Sequence, residues 1–312
     1  MSNEKRKIAE TKSELDDALS VEVEQRIKRQ KTTSKKRPKL KSAPKEIERA
    51  LIEEGYQYII GVDETGVGSI AGPLCVCAVH VPLEVDIEGV RDSKSFASDS
   101  LKIRRDEIYD QLNQDPRVKK QIVFLDHNYV DKHNPLKTRM DGMAMSVEQL
   151  IVAEKVLERY KLEDIVVLID GNCGPKQLTE KYQCRLIVKG DVNCYAIGAA
   201  SIFAKIVRDR YMTKLHAHFP EYGWDVNHGY PCSDHMQTVR AIGNSNFHRV
   251  SFNPCKTRDY SVKAKEWMTK HKTTDAAFHY GEYETMPSSY KPNETKDVVR
   301  EVNKVNELNN WW

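Results

Sequence analysis

Y-I-I-G-V-D-E-T-G-V-G-S-I-A-G-P-L-C-V-C-A-V, from Tyr58 to Val79, decides how the rest of the chain is read. Two apolar runs flank a turn rich in glycine. Tyr58, Ile59, Ile60 and Val62 are good β-formers, so the first run predicts a buried strand. It ends on two adjacent carboxylates, Asp63 and Glu64. Gly66, Gly68 and Gly72 then permit a tight turn with backbone N–H groups exposed. The second run, Leu74 to Val81, predicts a strand returning beside the first. Carboxylates at the end of a buried strand are costly unless something pairs them. A divalent cation held by oxygen ligands is one such partner, and a strand end reaching solvent is the plainer alternative.

Working outward, Asp92-Ser93-Lys94 precedes a helical run near 98–113, and Val118 to Asp126 predicts a third strand. Met140, Met143, Ala144, Val147, Leu150 and Ile151 recur at helical spacing, which predicts a long helix over 137–160 with this stripe in the core. Ile165 to Asp170 and Cys184 to Gly190 predict two more strands, the second followed by Asp191. A helix rich in small residues runs from Val192 to about His218, and a shorter one spans 232–242. The first three strands can pair antiparallel, and the later two can join in parallel through helical crossovers. The expected fold class is therefore α/β, a mixed five-stranded sheet flanked by helices.

Three expected strands end on acid: Asp63-Glu64, Asp170 and Asp191. Four carboxylates gathered at neighbouring strand ends repel one another and raise each other's pKa. Divalent cations relieve that repulsion. Two of them, ~3.5–4 Å apart, suit in-line attack at a phosphodiester. Other chemistries find no support. There is no G-x-S-x-G nucleophile motif, and Pro73 stands where a phosphate-binding P-loop carries lysine. Lys94, Lys205, Arg208 and Arg249 are candidate phosphate contacts, and Tyr230 is a candidate stacking residue.

Composition separates the ends of the chain from its middle. Of 312 residues, those from 1 to 45 form an arm predicted to be disordered. Ten of its residues between Arg26 and Lys45 are basic and none there is acidic, so the net charge of +3 leaves the remainder net acidic. K-R-Q-K-T-T-S-K-K-R-P-K-L-K reads as a nuclear localisation signal or a nucleic-acid-binding arm. The expected location is intracellular, nuclear if the arm is a signal and cytoplasmic otherwise. Residues 46–255 form the expected globular domain, opened by a short helix over 46–56. Residues 256–312 form a polar extension, with a helix expected near 295–308 and Trp311-Trp312 free to dock on the body or a partner. No apolar run is long enough to span a bilayer. Seven cysteines without C-x-x-C spacing predict reduced, structural thiols.

From about Gln57 to Phe252 the chain resembles type 2 ribonuclease H, that is ribonuclease HII, and its bacterial-type branch most closely. The likeness is carried by G-V-D-E-T-G-V-G-S-I-A-G-P, D-S-K, the region from Asn134 to Met143, L-I-D-G-N, K-G-D, A-A-S-I-F-A-K-I-V-R-D-R, H-G-Y and H-R-V-S-F, in the family's order. The resemblance implies a ribonuclease H fold. It implies magnesium- or manganese-dependent cutting of the RNA strand of RNA–DNA hybrids, and incision 5′ of a ribonucleotide embedded in DNA, leaving 5′-phosphate and 3′-OH ends. Asp63, Glu64, Asp170 and Asp191 match the family's four metal-binding acids. Tyr230 matches the tyrosine that stacks on the sugar at the RNA–DNA junction. Gly66, Val67 and Gly68 match the glycine motif at the 2′-OH, and Lys94, Ser201 and Lys205 match positions near the substrate backbone. Bacterial-type relatives act as monomers, and the tails remain available to partner proteins.

Two positions depart from the family pattern. Val67 stands where arginine or lysine is usual, and Ser69 where proline is usual. Losing a charge-assisted phosphate contact costs roughly 1.5–3 kcal/mol if nothing replaces it. The alternative function is a hybrid-binding or assembly protein with little or no catalysis.

Overall fold

The computed structural model describes residues 40–270 and the two-residue strand Glu284–Thr285. The basic arm before Leu40, the helix expected near 295–308 and Trp311-Trp312 lie outside the described residues.

One mixed sheet carries the molecule, with strand order β5-β4-β1-β2-β3-β6. β1 (Tyr58–Thr65) pairs antiparallel with β2 (Leu74–His80), and β2 pairs antiparallel with β3 (Lys119–Leu125). On its other side β1 pairs in parallel with β4 (Ile165–Asp170), and β4 in parallel with β5 (Gln183–Ile187). These are the five expected strands in the expected senses. The sheet has a sixth member: β6 (Glu284–Thr285) pairs in parallel with Val123 and Phe124. Two residues are too few for an alternating pattern to announce a strand.

Strand alternation divides the core into two layers. Tyr58, Ile60 and Val62 of β1 join Leu74, Val76 and Ala78 of β2 in packing against α4 (Pro135–Ala153), through Met143, Val147, Leu150 and Ile151. Ile59 faces the other way, with Val166 and Leu168, toward Ala196 and Ile197 of α7 (Tyr195–His216) and Leu51 of α1 (Glu46–Glu53). Successive side chains of a strand point to opposite faces. Asp63 is therefore delivered to the α7 face and Glu64 to the α4 face.

The helix against the second face comes very close. A Cβ on Gly61 would lie 2.4 Å from the carbonyl carbon of Ala196 and 2.7 Å from the nitrogen of Ile197. Only the absence of a side chain lets α7 lie this near β1.

Helix boundaries differ from expectation in informative places. The long helix expected over 137–160 starts two residues earlier and stops at Ala153, and a separate short helix precedes it. α3 (His127–His133) is capped by Asp126 and ends at Asn134, whose φ is +64°. Asn134 Oδ1 then accepts from Lys137 N and opens α4, which carries Pro135 in its first turn and stops at Ala153. The expected helix from Val192 is broken. α6 (Gly190–Asn193) is a single turn, Cys194 is extended, and α7 begins at Tyr195. Between β2 and β3 lies α2 (Asp99–Gln114), and α5 (Lys176–Lys181) joins β4 to β5. α8 (Trp224–Asn227) and α9 (Ser233–Ile242) follow α7.

The body also takes up residues from both expected tails. Ala43 N donates to Val90 O, Tyr195 N donates to Pro44 O, and Lys45 Nζ donates to the carbonyls of Leu83 and Val85. Past residue 255, α10 (Val262–Lys270) brings Trp267 to 5.6 Å from the ring of Phe219 and 5.2 Å from His218. All seven cysteines are free thiols.

Candidate active site

The register of the sheet brings the acids together. Val62 pairs with Ile169, so Asp63 and Asp170, the next residue of each strand, leave the sheet side by side. Asp170 pairs in turn with Ile187 of β5. Lys189 then adopts a left-handed conformation and starts α6. Asp170 Oδ1 accepts from Gly190 N at 2.7 Å, which anchors that turn and sets Asp191 beside Asp170. Asp191 thus reaches the site from a helical turn, not from the end of a strand as the sequence pattern implied.

Asp63 is 4% exposed. Burial, then the charges of Glu64 and Asp170, push its carboxyl well above the ordinary range. Ser201 of α7 and the Glu64 N–H both donate toward it and oppose that rise. Glu64 is also raised, chiefly by burial, against the pull of Arg139. Asp191 is pushed up to about 6 by burial and by Asp92 and Asp170, with Lys94 drawing it back.

Arg139 carried no site signal in the sequence beyond lying in the Asn134–Met143 region. It sits on α4, the helix that faces Glu64. Its Nε lies 2.9 Å from Glu64 Oε1, a terminal nitrogen donates to Asp170 O at 2.7 Å, and the other approaches Cys173 Sγ at 3.7 Å. Asp92 is the second residue that sequence reasoning missed. Its side chain accepts from Lys94 N and its charge faces Asp191.

The expected substrate-side residues divide by position. Gly66 has φ +90° and its N–H donates to the Tyr230 hydroxyl at 3.2 Å. Tyr230 Oη also lies 3.2 Å from Thr65 Oγ1, and its ring is flanked by Lys205 and Arg208. Val67 is half-buried against the α4-side core, and Gly68 is exposed. Lys94 is largely exposed, with Nζ 3.8 Å from Asp191 Oδ2. Lys205 reaches Asp209 Oδ1 at 2.8 Å. Ser201 lies beneath the carboxylates, bonded to Ser93 Oγ at 3.0 Å.

Arg208 and Arg249, candidate phosphate contacts in the sequence, are fully buried instead. Arg208 donates to Pro73 O, Ala71 O, His228 O and Ser69 Oγ. Arg249 donates to Gly72 O and Val67 O. They hold the backbone of the glycine turn and do not face solvent.

A search of known families matches residues 60–255 to the model of Ribonuclease HII. The chain belongs to the ribonuclease HII family. It is 31% identical to the Ribonuclease HII of Caldicellulosiruptor bescii over 207 residues, 66% of this chain and 92% of that one. It is 36% identical to the Ribonuclease HII of Coxiella burnetii over 196 residues, 63% of this chain and 88% of that one. Among solved structures it is similar to the ribonuclease H2 from Pyrococcus horikoshii, with 21% identity and a TM-score of 0.47, covering 68% of this chain and 99% of that one. Family membership makes this chain a ribonuclease H endonuclease of the bacterial type, in a family that acts on RNA–DNA hybrids. No helix among the described residues is long and apolar enough to cross a membrane.

The donor set suits a divalent cation chemically. It consists of carboxylate oxygens, with Asp63, Glu64 and Asp191 raised in pKa, and Glu64 Oε2 is buried without a hydrogen-bond partner among the described residues. Among the described residues, however, no three of the histidines, cysteines and acids converge closely enough to enclose an ion as they stand. Arg139 occupies one Glu64 oxygen.

Proposed function

We propose that this chain hydrolyses the RNA strand of RNA–DNA hybrids and also incises DNA 5′ of an embedded ribonucleotide, using magnesium or manganese held by Asp63, Glu64, Asp170 and Asp191. The observation that supports the reading is that these four carboxylates lie at one end of the sheet, where the register and the Asp170–Gly190 bond set them near enough to feel one another's charge, though not to enclose an ion as they stand. When bound, two divalent cations would supply an activated water and stabilise the leaving oxygen, giving 5′-phosphate and 3′-OH ends.

The chain's own residues do the rest. Tyr230 is held by Thr65 and Gly66, at the rim of the glycine turn, where its ring meets the sugar of the substrate. The exposed Gly68 amide faces the strand to be cut. Lys94 contributes positive charge beside Asp191 and Lys205 beside Tyr230, and the nucleic-acid backbone is the matching polyanion.

The test uses two labelled duplexes, with magnesium and separately with manganese. One is a long RNA–DNA hybrid, and the other is DNA with a single ribonucleotide. Both are expected to be cut, the second on its 5′ side. Asp170→Asn keeps the acceptor for Gly190 N and is expected to keep the fold while losing cleavage of both. Cleavage of neither by the unaltered protein would leave only the binding-protein alternative. Full activity of Asp170→Asn would overturn the assignment of roles.

A further inference from the structure

The glycine turn has no cation on its outer side at position 67, and two arginines directly beneath it. Arg249 Nε donates to Gly72 O at 3.0 Å and a terminal nitrogen donates to Val67 O at 3.0 Å. Arg208 braces Pro73, Ala71 and Ser69 of the same segment. Both are fully buried, and neither forms an ion pair with a carboxylate among the described residues. Burying unneutralised charge is expensive. Arg249 shows the expense: burial, and then the charge of Arg208, push its pKa down to about 9. A second terminal nitrogen of Arg249 has no hydrogen-bond partner among the described residues. A purely structural brace for two carbonyls would not require a guanidinium in so costly a place.

The peptide plane shows what the charge can do. The Val67 carbonyl and the Gly68 N–H belong to one trans peptide, so they point in opposite directions. With its oxygen turned inward to Arg249, the unit turns its N–H outward. Gly68 is exposed, and its N–H has no partner among the described residues. Accepting a charge-assisted bond at the oxygen polarises the amide and strengthens it as a donor, by about 10–30% per bond in a hydrogen-bonded chain. That donor stands four residues after Glu64, in the turn whose first amide holds Tyr230.

We infer that Arg249 is a positioning residue for substrate specificity: it orients and polarises the Val67–Gly68 peptide so that the Gly68 N–H donates to the 2′-hydroxyl of the ribonucleotide, supplying from beneath the charge that Val67 lacks. This rests on the proposed cleavage at ribonucleotides. The shared chemistry is an oxygen acceptor on the substrate. A phosphate oxygen is the rival acceptor, and it is present whether or not the sugar is ribose.

The experiment measures binding, in the full-length Asp170→Asn protein so that substrate stays intact. Fluorescence anisotropy compares a DNA duplex carrying one ribonucleotide with the same duplex in all-DNA form. The parent is expected to prefer the first. Arg249→Met is expected to lower that preference about tenfold, about 1.4 kcal/mol, and Arg249→Lys to restore part of it. Gly68→Pro removes the amide donor while leaving Arg249 in place. It is expected to lower the preference similarly, with Arg249→Met causing no further fall on top of it.

An unchanged preference in Arg249→Met, or a further fall in the double variant, overturns the inference. Equal losses on both duplexes assign the contact to phosphate and overturn it too. If Arg249→Met does not fold, Gly68→Pro alone decides, and a preference unchanged there overturns the inference. A parent with no preference for the ribonucleotide fails at the proposed function itself, and the inference falls with it.

Discussion

Arg139 Nε lies 2.9 Å from Glu64 Oε1, and the same guanidinium holds the carbonyl of Asp170. A permanent cation therefore ties the Glu64 carboxylate to the backbone of Asp170. It stabilises the ionised form of Glu64, which burial otherwise opposes. It also occupies an oxygen that a metal would use and repels an incoming dication. Both effects weaken metal binding. Arg139→Gln is accordingly expected to bind the first manganese ion at least tenfold more tightly, about 1.4 kcal/mol, in titration calorimetry at pH 8. Cleavage is expected to fall, because Glu64 and Asp170 lose their common brace. Weaker manganese binding in this variant would show that Arg139 gathers the ligands more than it competes for them.

The acids should make the metal-free protein less stable as pH rises. A carboxyl with a raised folded pKa binds its proton more tightly in the native than in the unfolded state. Its stabilising share is complete below the unfolded value of about 4 and is lost as pH passes through the folded value. For Asp191 that folded value is about 6, and Asp63 is displaced in the same direction. Asp191→Asn should therefore be more stable than the parent at pH 8, by on the order of 1 kcal/mol after allowance for solvent screening. No gain is expected at pH 4. Urea denaturation with EDTA at the two pH values measures this, and equal stability at both would contradict the strain assigned to Asp191.

Gly61 is the position where the site depends most on the absence of a side chain. A Cβ there would meet the backbone of Ala196 and Ile197, which have no rotamer to change. Gly61→Ala is expected to cost about 3 kcal/mol, the upper end for inserting a methyl into a packed core. Thermal unfolding reads the loss directly. Because α7 also carries Ser201 beneath Asp63, the specific activity of the remaining folded protein should drop as well.

Much of this was legible in the chain, and the omissions have physical causes. Strands ending in acid and helices with apolar stripes are periodic signals, and the five principal strands and the packing of α4 followed from them. The break at Cys194 is a single-residue event inside helical composition, so periodicity passed over it. The four acids were visible because each closes an apolar run or stands just beyond one. Arg139 was not, because an arginine on an exposed or a buried helix face leaves the same trace until the facing strand is known. The same limit explains Arg208 and Arg249. Their charge suggested solvent and phosphate, yet unsatisfied carbonyls in a tight glycine turn drew them inward.

The anchoring of Ala43, Pro44 and Lys45 defines where the basic arm can be cut. Removing residues 1–39 spares those bonds, and cleavage at low salt is expected to persist. If the arm adds general affinity, the truncated protein should lose activity more steeply as salt rises, because a phosphate-binding cation contributes to the salt dependence of binding. Extending the deletion through residue 45 removes the Lys45 contacts to Leu83 and Val85 and should lower the melting temperature. Salt titrations of cleavage by the two truncations separate the roles. Complete loss of low-salt cleavage in the shorter truncation would place the arm inside the catalytic unit.

Tyr230→Phe isolates the hydroxyl from the ring. The phenol accepts from Gly66 N and meets Thr65 Oγ1, while the ring lies between Lys205 and Arg208. Burial would raise its pKa, but Arg208, Thr65, Lys205 and Gly66 together bring it below its ordinary value, so the oxygen is a well-stabilised acceptor. Removing it leaves the Gly66 amide without that partner at about 1–3 kcal/mol, while a ring able to stack remains. The glycine turn should loosen, and incision at a single ribonucleotide, which presents one 2′-hydroxyl, should fall about tenfold or more. Cleavage of a long hybrid offers many registers and should fall less. Tyr230→Ala removes the ring as well and should impair both. Steady-state kinetics on the two duplexes distinguish the cases: equal losses for Tyr230→Phe on both would mean that the hydroxyl serves the fold, and a selective loss at the single ribonucleotide would mean that it sets the turn that recognises ribose.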